Sequence, residues 1–296
     1  MELPRNNFPR ITEAIMLRDL LKGKFVVVDV GVYGGEHPRW HVFGERLVVY
    51  GFDARSEAIE PLLKQPMGAG RRRYFNCAIG DEDGTREFQV VENVASSSFY
   101  ESGGQSEARL VPIRRLDSLV ADRTIESPDF IKVDVEGFEK YVFLGAGKAL
   151  DDSVLAVEFE TNFNDSPEYP AGHFATIHEI LRPRGFYLAD MVFDRYRGVP
   201  STFDVLFCRK PRTANEVIKL AIIHDLYGHE DAALDTASLH PSWEALAAPV
   251  EPHNDVLLPP SRADEIRDLQ KRLAILENSA SWRWTAPLRA IRRLFG

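Results

Sequence analysis

The stretch VVVDVGVYGG, residues 26–35, sets three valines before an acid and then a glycine-rich turn. With Phe25 it forms a short continuous apolar run, the pattern of a strand covered on both faces. Four further runs resemble it: LVVYGF (47–52), RYFNCAI (73–79), DFIKVDV (129–135) and VLAVEF (154–159). Between them lie stretches of helical spacing at 56–64, where Ser56 reads as an N-cap, at 136–147 and at 174–182. Strands alternating with helices predict a parallel α/β sheet with helices on both faces. GFYLADMVF (185–193) and TFDVLFCRK (202–210) predict a closing antiparallel pair, and TREFQVV with RLVPIRRL an irregular, partly exposed insertion.

The chain has 296 residues, 44% of them hydrophobic and 27% charged, which fits a soluble globular protein with a sizeable core. Its net charge of -9 argues against a nucleic-acid binder, because polyanions are held by basic surfaces. No apolar run approaches the roughly 18 residues of a spanning helix, and the N-terminus lacks a signal-peptide layout. Cys77 and Cys208 stand far apart and carry no metal-type spacing, so a reducing cytoplasm is expected. The chain divides into five segments, beginning with an N-terminal helix within 1–24, the α/β domain at 25–210 and a helical extension at 211–240. A proline-rich linker (241–261) and a helical tail (262–296) complete it.

The turn Gly31-Val32-Tyr33-Gly34-Gly35 does not have the G-x-G-x-x-G spacing that seats a pyrophosphate, which disfavours a nicotinamide dehydrogenase. Glycines there still let a ligand approach the backbone closely. Asp53 ends the second run, where a carboxylate can accept hydrogen bonds from both hydroxyls of a ribose. Together they point to a nucleoside cofactor without a diphosphate; an ordinary tight turn is the alternative reading of the glycines alone.

The segments VVVDVGVYGG, VVYGFDA, FNCAIGDEDG, VPIRRLDSL and DFIKVDVEGFEKYVFLGA, followed by AVEFE, resemble in order and spacing the FkbM-like methyltransferases. The resemblance covers roughly 25–210. It implies a seven-stranded, Rossmann-like class I methyltransferase sheet, parallel with a terminal antiparallel hairpin. It also implies S-adenosylmethionine as the cofactor and a sugar or polyketide hydroxyl as the acceptor. By the same resemblance, Asp29, Gly31, Tyr33, Gly34 and Gly35 would border the cofactor's amino-acid end and Asp53 its ribose. Asn76, Ala78, Ile79 and Asp81 would lie near its adenine. Tyr33 puts a bulky side chain in a turn that usually reads GANxG, and Asp53-Ala54 replaces the usual Glu-Pro.

Methyl transfer to an alcohol needs a group that takes the hydroxyl proton. Lys132, Asp134 and Glu136 share one side of their strand by alternation, and the two acids emerge at its carboxyl end. Asp134 is the first candidate base or cofactor anchor and Glu136 the next. Neutralisation of Asp134 by Lys132 is the plainer alternative. His37, directly after the glycine turn, is a third candidate. Glu158 and Glu160 repeat the arrangement one strand over but lack a third ligand, so no metal is expected.

In the tail, Ile266, Leu269, Leu273 and Leu276 form a short heptad seam that suits self-association. Leu288, Ile291, Leu294 and Phe295 gather on one helical face, with Arg289, Arg292 and Arg293 on another and Trp282 and Trp284 upstream. That composition suits a helix lying on anionic lipid, and docking on a protein suits it as well. The tail resembles those of bacterial surface-polysaccharide enzymes, which implies a cell-surface glycan as acceptor. It further implies peripheral attachment at the inner face of the cytoplasmic membrane, or a glycosyltransferase partner. A degenerate methyltransferase fold serving as a partner-binding module is the alternative function.

Overall fold

The computed structural model describes residues 10–65, 68–91, 98–99, 106–163, 172–196 and 199–242. The chain divides into two compact units, Met1–Ala247 and Ala248–Gly296, and every described residue belongs to the first. The linker beyond residue 242 and the amphipathic tail therefore lie outside the described residues.

After helix α1 (Arg10–Leu17) come β1 (Phe25–Val30), a 3-10 segment (Pro38–Arg46), β2 (Leu47–Asp53), α2 (Ser56–Leu63) and β3 (Arg71–Asn76). The insertion holds β4 (Ala78–Ile79), β5 (Gly84–Val91), β6 (Ser106–Arg114) and α3 (Leu116–Ala121). Beyond it lie β7 (Phe130–Val133), α4 (Glu139–Gly145), α5 (Gly147–Asp152), β8 (Ala156–Thr161) and α6 (Phe174–Leu181). The domain closes with β9 (Phe186–Tyr196), β10 (Val199–Arg209), α7 (Ala214–Leu226) and α8 (Glu230–Ala237).

Seven strands form one sheet in the order β3-β2-β1-β7-β8-β10-β9, with β10 antiparallel to both neighbours. This is the expected class I methyltransferase sheet with its terminal hairpin. Every residue of β1 and β2 is buried, as a strand between two helical layers requires. Alternation then divides the core. Val26, Val28 and Val30 pack with Phe143 and Leu150 on one face, while Phe25 and Val27 pack with Trp40, Ile218 and Ile222 on the other. Chain connections reverse direction between β1 and β7, which pair in register from Val27↔Phe130 to Val30↔Val133. The crevice beyond their carboxyl ends is the switch point at which open α/β sheets bind ligands.

Three local expectations give way to tertiary hydrogen bonds. The run 73–79 splits in two: β3 ends at Asn76, and Ala78–Ile79 joins a separate three-stranded sheet, β4-β6-β5. Cys77 N–H donates to the Asp53 carbonyl (2.9 Å), and Asn76 Nδ2 donates to the carbonyls of Asp53 and Ala54, so the chain turns there. Arg55, not Ser56, is the N-cap of α2, and the Asp53 carboxylate accepts its N–H. The helix expected from Glu136 starts only at Glu139, because Glu136 and Gly137 turn with φ of 51° and 94°. That turn also takes Glu136 out of the strand's alternation, although Glu136 and Asp134 still line one pocket. The RLDSL motif serves the fold, since Asp117 accepts the N–H groups of Lys148 and Ala149 and caps α5.

Candidate active site

The site grows from the turn after β1. Gly31 and Val32 N–H both donate to the Phe52 carbonyl (2.8 and 3.1 Å), which bends the chain sharply off the sheet. Gly31 has φ +86°, and a Cβ there would lie 1.8 Å from the carbonyl oxygen of Asp134. The turns after β1 and β7 thus touch backbone to backbone, and only glycine fits between them. Glu36 and the 3-10 segment fix this turn in place. The buried Glu36 side chain accepts from Arg72 Nε (2.6 Å), Tyr74 Oη (2.7 Å) and His41 Nε2 (3.2 Å). Burial raises its carboxyl, but these three hydrogen bonds prevail and draw it down to about 2. Pro38 then starts the 3-10 segment, which sinks Trp40 among Phe25, Phe43, Phe130 and Tyr227.

Over the switch point lies a pocket with about 450 Å³ of empty space, part of it open to solvent. Gly31, Asp53 and Arg55 line its polar part, and Ala78, Ile79, Phe88 and Phe99 its apolar part. Asp53 is held by Arg55: Oδ1 accepts from the backbone N–H (2.9 Å) and Nε (2.8 Å), and Oδ2 from Nη2 (2.7 Å). Three of the carboxylate's roughly four acceptor positions are thereby filled and its plane is fixed. Tyr33 does not enter the pocket. Its side chain is 58% exposed, with the Arg55 guanidinium 5.3 Å from the ring centre.

Asp29 lies beneath, buried, with Oδ1 lacking a hydrogen-bond partner and Lys132 Nζ 3.8 Å away. Burial lifts its carboxyl to about 6, against the pull of Lys132. Lys132 also bonds Asp134 (3.1 Å); burial would depress its ammonium, but Asp29 and Asp134 outweigh that and hold it above the usual lysine range.

Two further cavities adjoin the pocket, each sharing one carboxylate with it. The first encloses about 770 Å³ and meets the pocket at Asp134. Its walls carry both charge signs, Lys132 and Arg39 against Glu158, Asp190 and Asp204, with the His37 imidazole beside them. Tyr227 Oη donates to Glu158 Oε2 (2.7 Å), and the Arg39 guanidinium lies 4.2 Å from the Tyr227 ring centre. His37 Nδ1 accepts from both the backbone N–H and Nε of Arg39 (3.0 Å each), which puts the imidazole proton on Nε2. Burial, then the charge of Arg39, pushes its pKa down to about 4.

The other cavity, about 440 Å³, meets the pocket at Glu136 and the first cavity at Glu160. Burial, then the charges of Glu160 and Asp134, raises Glu136 to about 7.

Of the residues singled out in the sequence, Gly31, Asp53, Ala78, Ile79, Asp134 and Glu136 line the nucleoside-sized pocket, and His37 lines the mixed-charge cavity. Asp29, Gly34, Gly35, Asn76, Asp81 and Tyr33 line none of the three. Asn76 ties down the chain after β2 instead, and the Asp81 carbonyl accepts from Arg115. Arg55, Arg39, Tyr227 and Glu139 were not anticipated. Arg55 and Glu139 lie two and three residues after noted acids, but their contacts depend on turns that the sequence does not display. Among the described residues, no group of three or more His, Cys, Asp or Glu is gathered to hold a metal ion. No described helix is long and apolar enough to cross a membrane.

The pocket fits S-adenosylmethionine. Gly31 presents bare backbone to it, Asp53 gives it a fixed carboxylate, and Ala78, Ile79, Phe88 and Phe99 give it apolar walls. The methyltransferase FkbM domain matches residues 29–188. Among solved structures, methyltransferase FkbM from Methylobacillus flagellatus KT is 16% identical, covering 66% of this chain and 47% of its own, with a TM-score of 0.41. The chain thus spans about half the length of that protein. A putative S-adenosylmethionine-dependent methyltransferase from Listeria monocytogenes is 11% identical, covering 68% of this chain and 98% of its own, with a TM-score of 0.38. Magnesium protoporphyrin IX methyltransferase from Synechocystis PCC 6803, with bound S-adenosylmethionine, is 11% identical, covering 67% and 76%, with a TM-score of 0.32. No curated protein matches. With the domain match taking in more than half of its residues, the chain belongs to the FkbM methyltransferase family.

Proposed function

We propose that the protein transfers the methyl group of S-adenosylmethionine to a hydroxyl of a sugar in a cell-surface glycan. The observation that carries this reading is the pair of shared carboxylates: Asp134 and Glu136 each line the cofactor pocket and one polar cavity beside it. Bound cofactor supplies an electrophilic methyl on a sulfonium. Asp53, fixed by Arg55, would accept from a ribose hydroxyl with its remaining acceptor position, and Ala78, Ile79, Phe88 and Phe99 would border the base.

The chain's own residues orient the hydroxyl and take its proton. Glu136 suits that role better than Asp134. Its carboxyl titrates near neutrality, where a general base works best, whereas Asp134 is engaged by the Lys132 ammonium. His37 presents an Nε2–H, so it donates a hydrogen bond to the acceptor rather than removing its proton. Tyr33 stands clear of the pocket, which removes the steric ground for a degenerate, partner-binding fold.

Calorimetric titration should show S-adenosylhomocysteine binding with Asp53 intact and at least tenfold weaker binding in Asp53→Asn. With a sugar panel and S-adenosylmethionine, kcat/KM should rise with pH through about 7, as Glu136 ionises, and then level. Glu136→Gln should slow transfer by about 100-fold or more and flatten that profile, leaving S-adenosylhomocysteine affinity within a few-fold. Absence of nucleoside binding by folded protein, or full activity in Glu136→Gln, would overturn the assignment.

A further inference from the structure

The cavity beyond Glu136 is built almost entirely of hydrogen-bond acceptors. Glu139 is fully enclosed: Oε1 accepts from the N–H groups of Val135 (3.3 Å) and Gly137 (3.2 Å), while Oε2 has no partner. Gly172 stands against that free oxygen, which a Cβ would approach to 2.8 Å. Asn162 adds a second buried oxygen without a partner, Oδ1. The hydroxyl donors nearby are spent, Thr161 on the Gly172 carbonyl (2.6 Å) and Thr202 on Glu160. Among the described residues, no lysine, arginine or histidine lines the space.

Three carboxyls thus share a partly open cavity with no lysine, arginine or histidine among its described lining residues; Arg55 and Lys132, outside it, offset Glu136 and Glu160 only in part, so gathering the acids there costs free energy. Protonation relieves part of it: burial above all lifts Glu139 to about 8. A bound cation would relieve it further. The carboxyls are not gathered as ligands around one point, so a bare metal ion is not what they fit.

We infer that this cavity receives a protonated amino group carried by the methyl acceptor, held by Glu139 Oε2, Asn162 Oδ1 and the Glu160 carboxylate. The acceptor class narrows accordingly to an amino sugar, or another amino alcohol, whose hydroxyl reaches Glu136 while its ammonium occupies the recess behind. This deepens the proposed methyl transfer and rests on it for the acceptor's identity, although the amine site itself is defined by the cavity alone.

The test is therefore made without cofactor. The full chain is titrated with D-glucosamine, D-glucose and N-acetyl-D-glucosamine, with binding followed by calorimetry or ligand-observed NMR. Glucosamine should bind at least tenfold more tightly than glucose, and N-acetylation should abolish the advantage. Glu139→Gln keeps an oxygen for the two backbone N–H groups and places an NH₂ where Oε2 was. It should weaken glucosamine binding about tenfold, the loss of a charge-assisted hydrogen bond. Asn162→Ala should weaken it several-fold and serves if Glu139→Gln does not fold. Equal binding of glucosamine and glucose, no binding by either, or unchanged affinity in the folded variants would overturn the inference. Failure to bind S-adenosylhomocysteine would instead strike the methyl-transfer reading and leave the amine site standing.

Discussion

At the scale of single residues, Gly31 bears the tightest constraint. Its φ of +86° and the 1.8 Å approach of a Cβ to the Asp134 carbonyl leave no room for a methyl group. Gly31→Ala should destabilise the protein by more than about 2 kcal/mol, combining left-handed backbone strain with steric overlap. Thermal melts would show a lower Tm, and S-adenosylhomocysteine binding should be lost in whatever protein remains folded. An unchanged Tm would mean that the two turns are not in contact. Residue-level reading of the sequence reached Gly31, Asp53, Asp134 and Glu136 because glycine and acids at strand ends carry their meaning locally. Arg55 and Tyr227 were illegible for the opposite reason. Arg55 closes on Asp53 within the chain's sharp exit from β2, and Tyr227 meets Glu158 only after α7 folds back over the sheet.

At the scale of elements, the strands β1, β2, β7 and β8 could be read directly, since burial on both faces writes itself as an unbroken apolar run. Boundaries set otherwise could not: the split at Cys77 depends on the distant Asp53 carbonyl, and the late start of α4 on the left-handed turn at Glu136 and Gly137. The 3-10 segment after the glycine turn is held by Glu36, whose partners Arg72 and Tyr74 come from β3. Glu36→Ala would leave the buried Arg72 guanidinium without its carboxylate and should cost about 3–5 kcal/mol near neutral pH. The pH dependence has a definite sign. The folded Glu36 carboxyl lies at about 2, below its ordinary 4.5, so its contribution is complete above about 4.5 and is lost as pH falls through about 2. Denaturation of wild type and variant across that window should therefore converge toward low pH; a constant gap would refute the ion-pair explanation.

At the scale of the whole molecule, one compact unit, Met1–Ala247, holds the described fold and its three cavities. For the tail, the arginine and leucine pattern predicts attachment to lipid. The full chain should co-sediment with vesicles containing phosphatidylglycerol, and reversing Arg289, Arg292 and Arg293 to Glu should abolish this without altering S-adenosylhomocysteine affinity. Vesicle binding that survives the reversal, or is absent in the unaltered chain, would favour a protein partner. The walls of the mixed-charge cavity carry a consequence for enzyme engineering. Every residue around the nucleoside pocket falls within the stretch 29–188 that marks the family, whereas Asp190, Asp204 and Tyr227 come after it. The donor berth and the inner acceptor walls thus share one genetic address, and a hybrid that grafts residues 189–242 onto a relative's first half should keep that relative's grip on the methyl source and on an ammonium, changing only the outer wall that Asp190, Asp204 and Tyr227 supply.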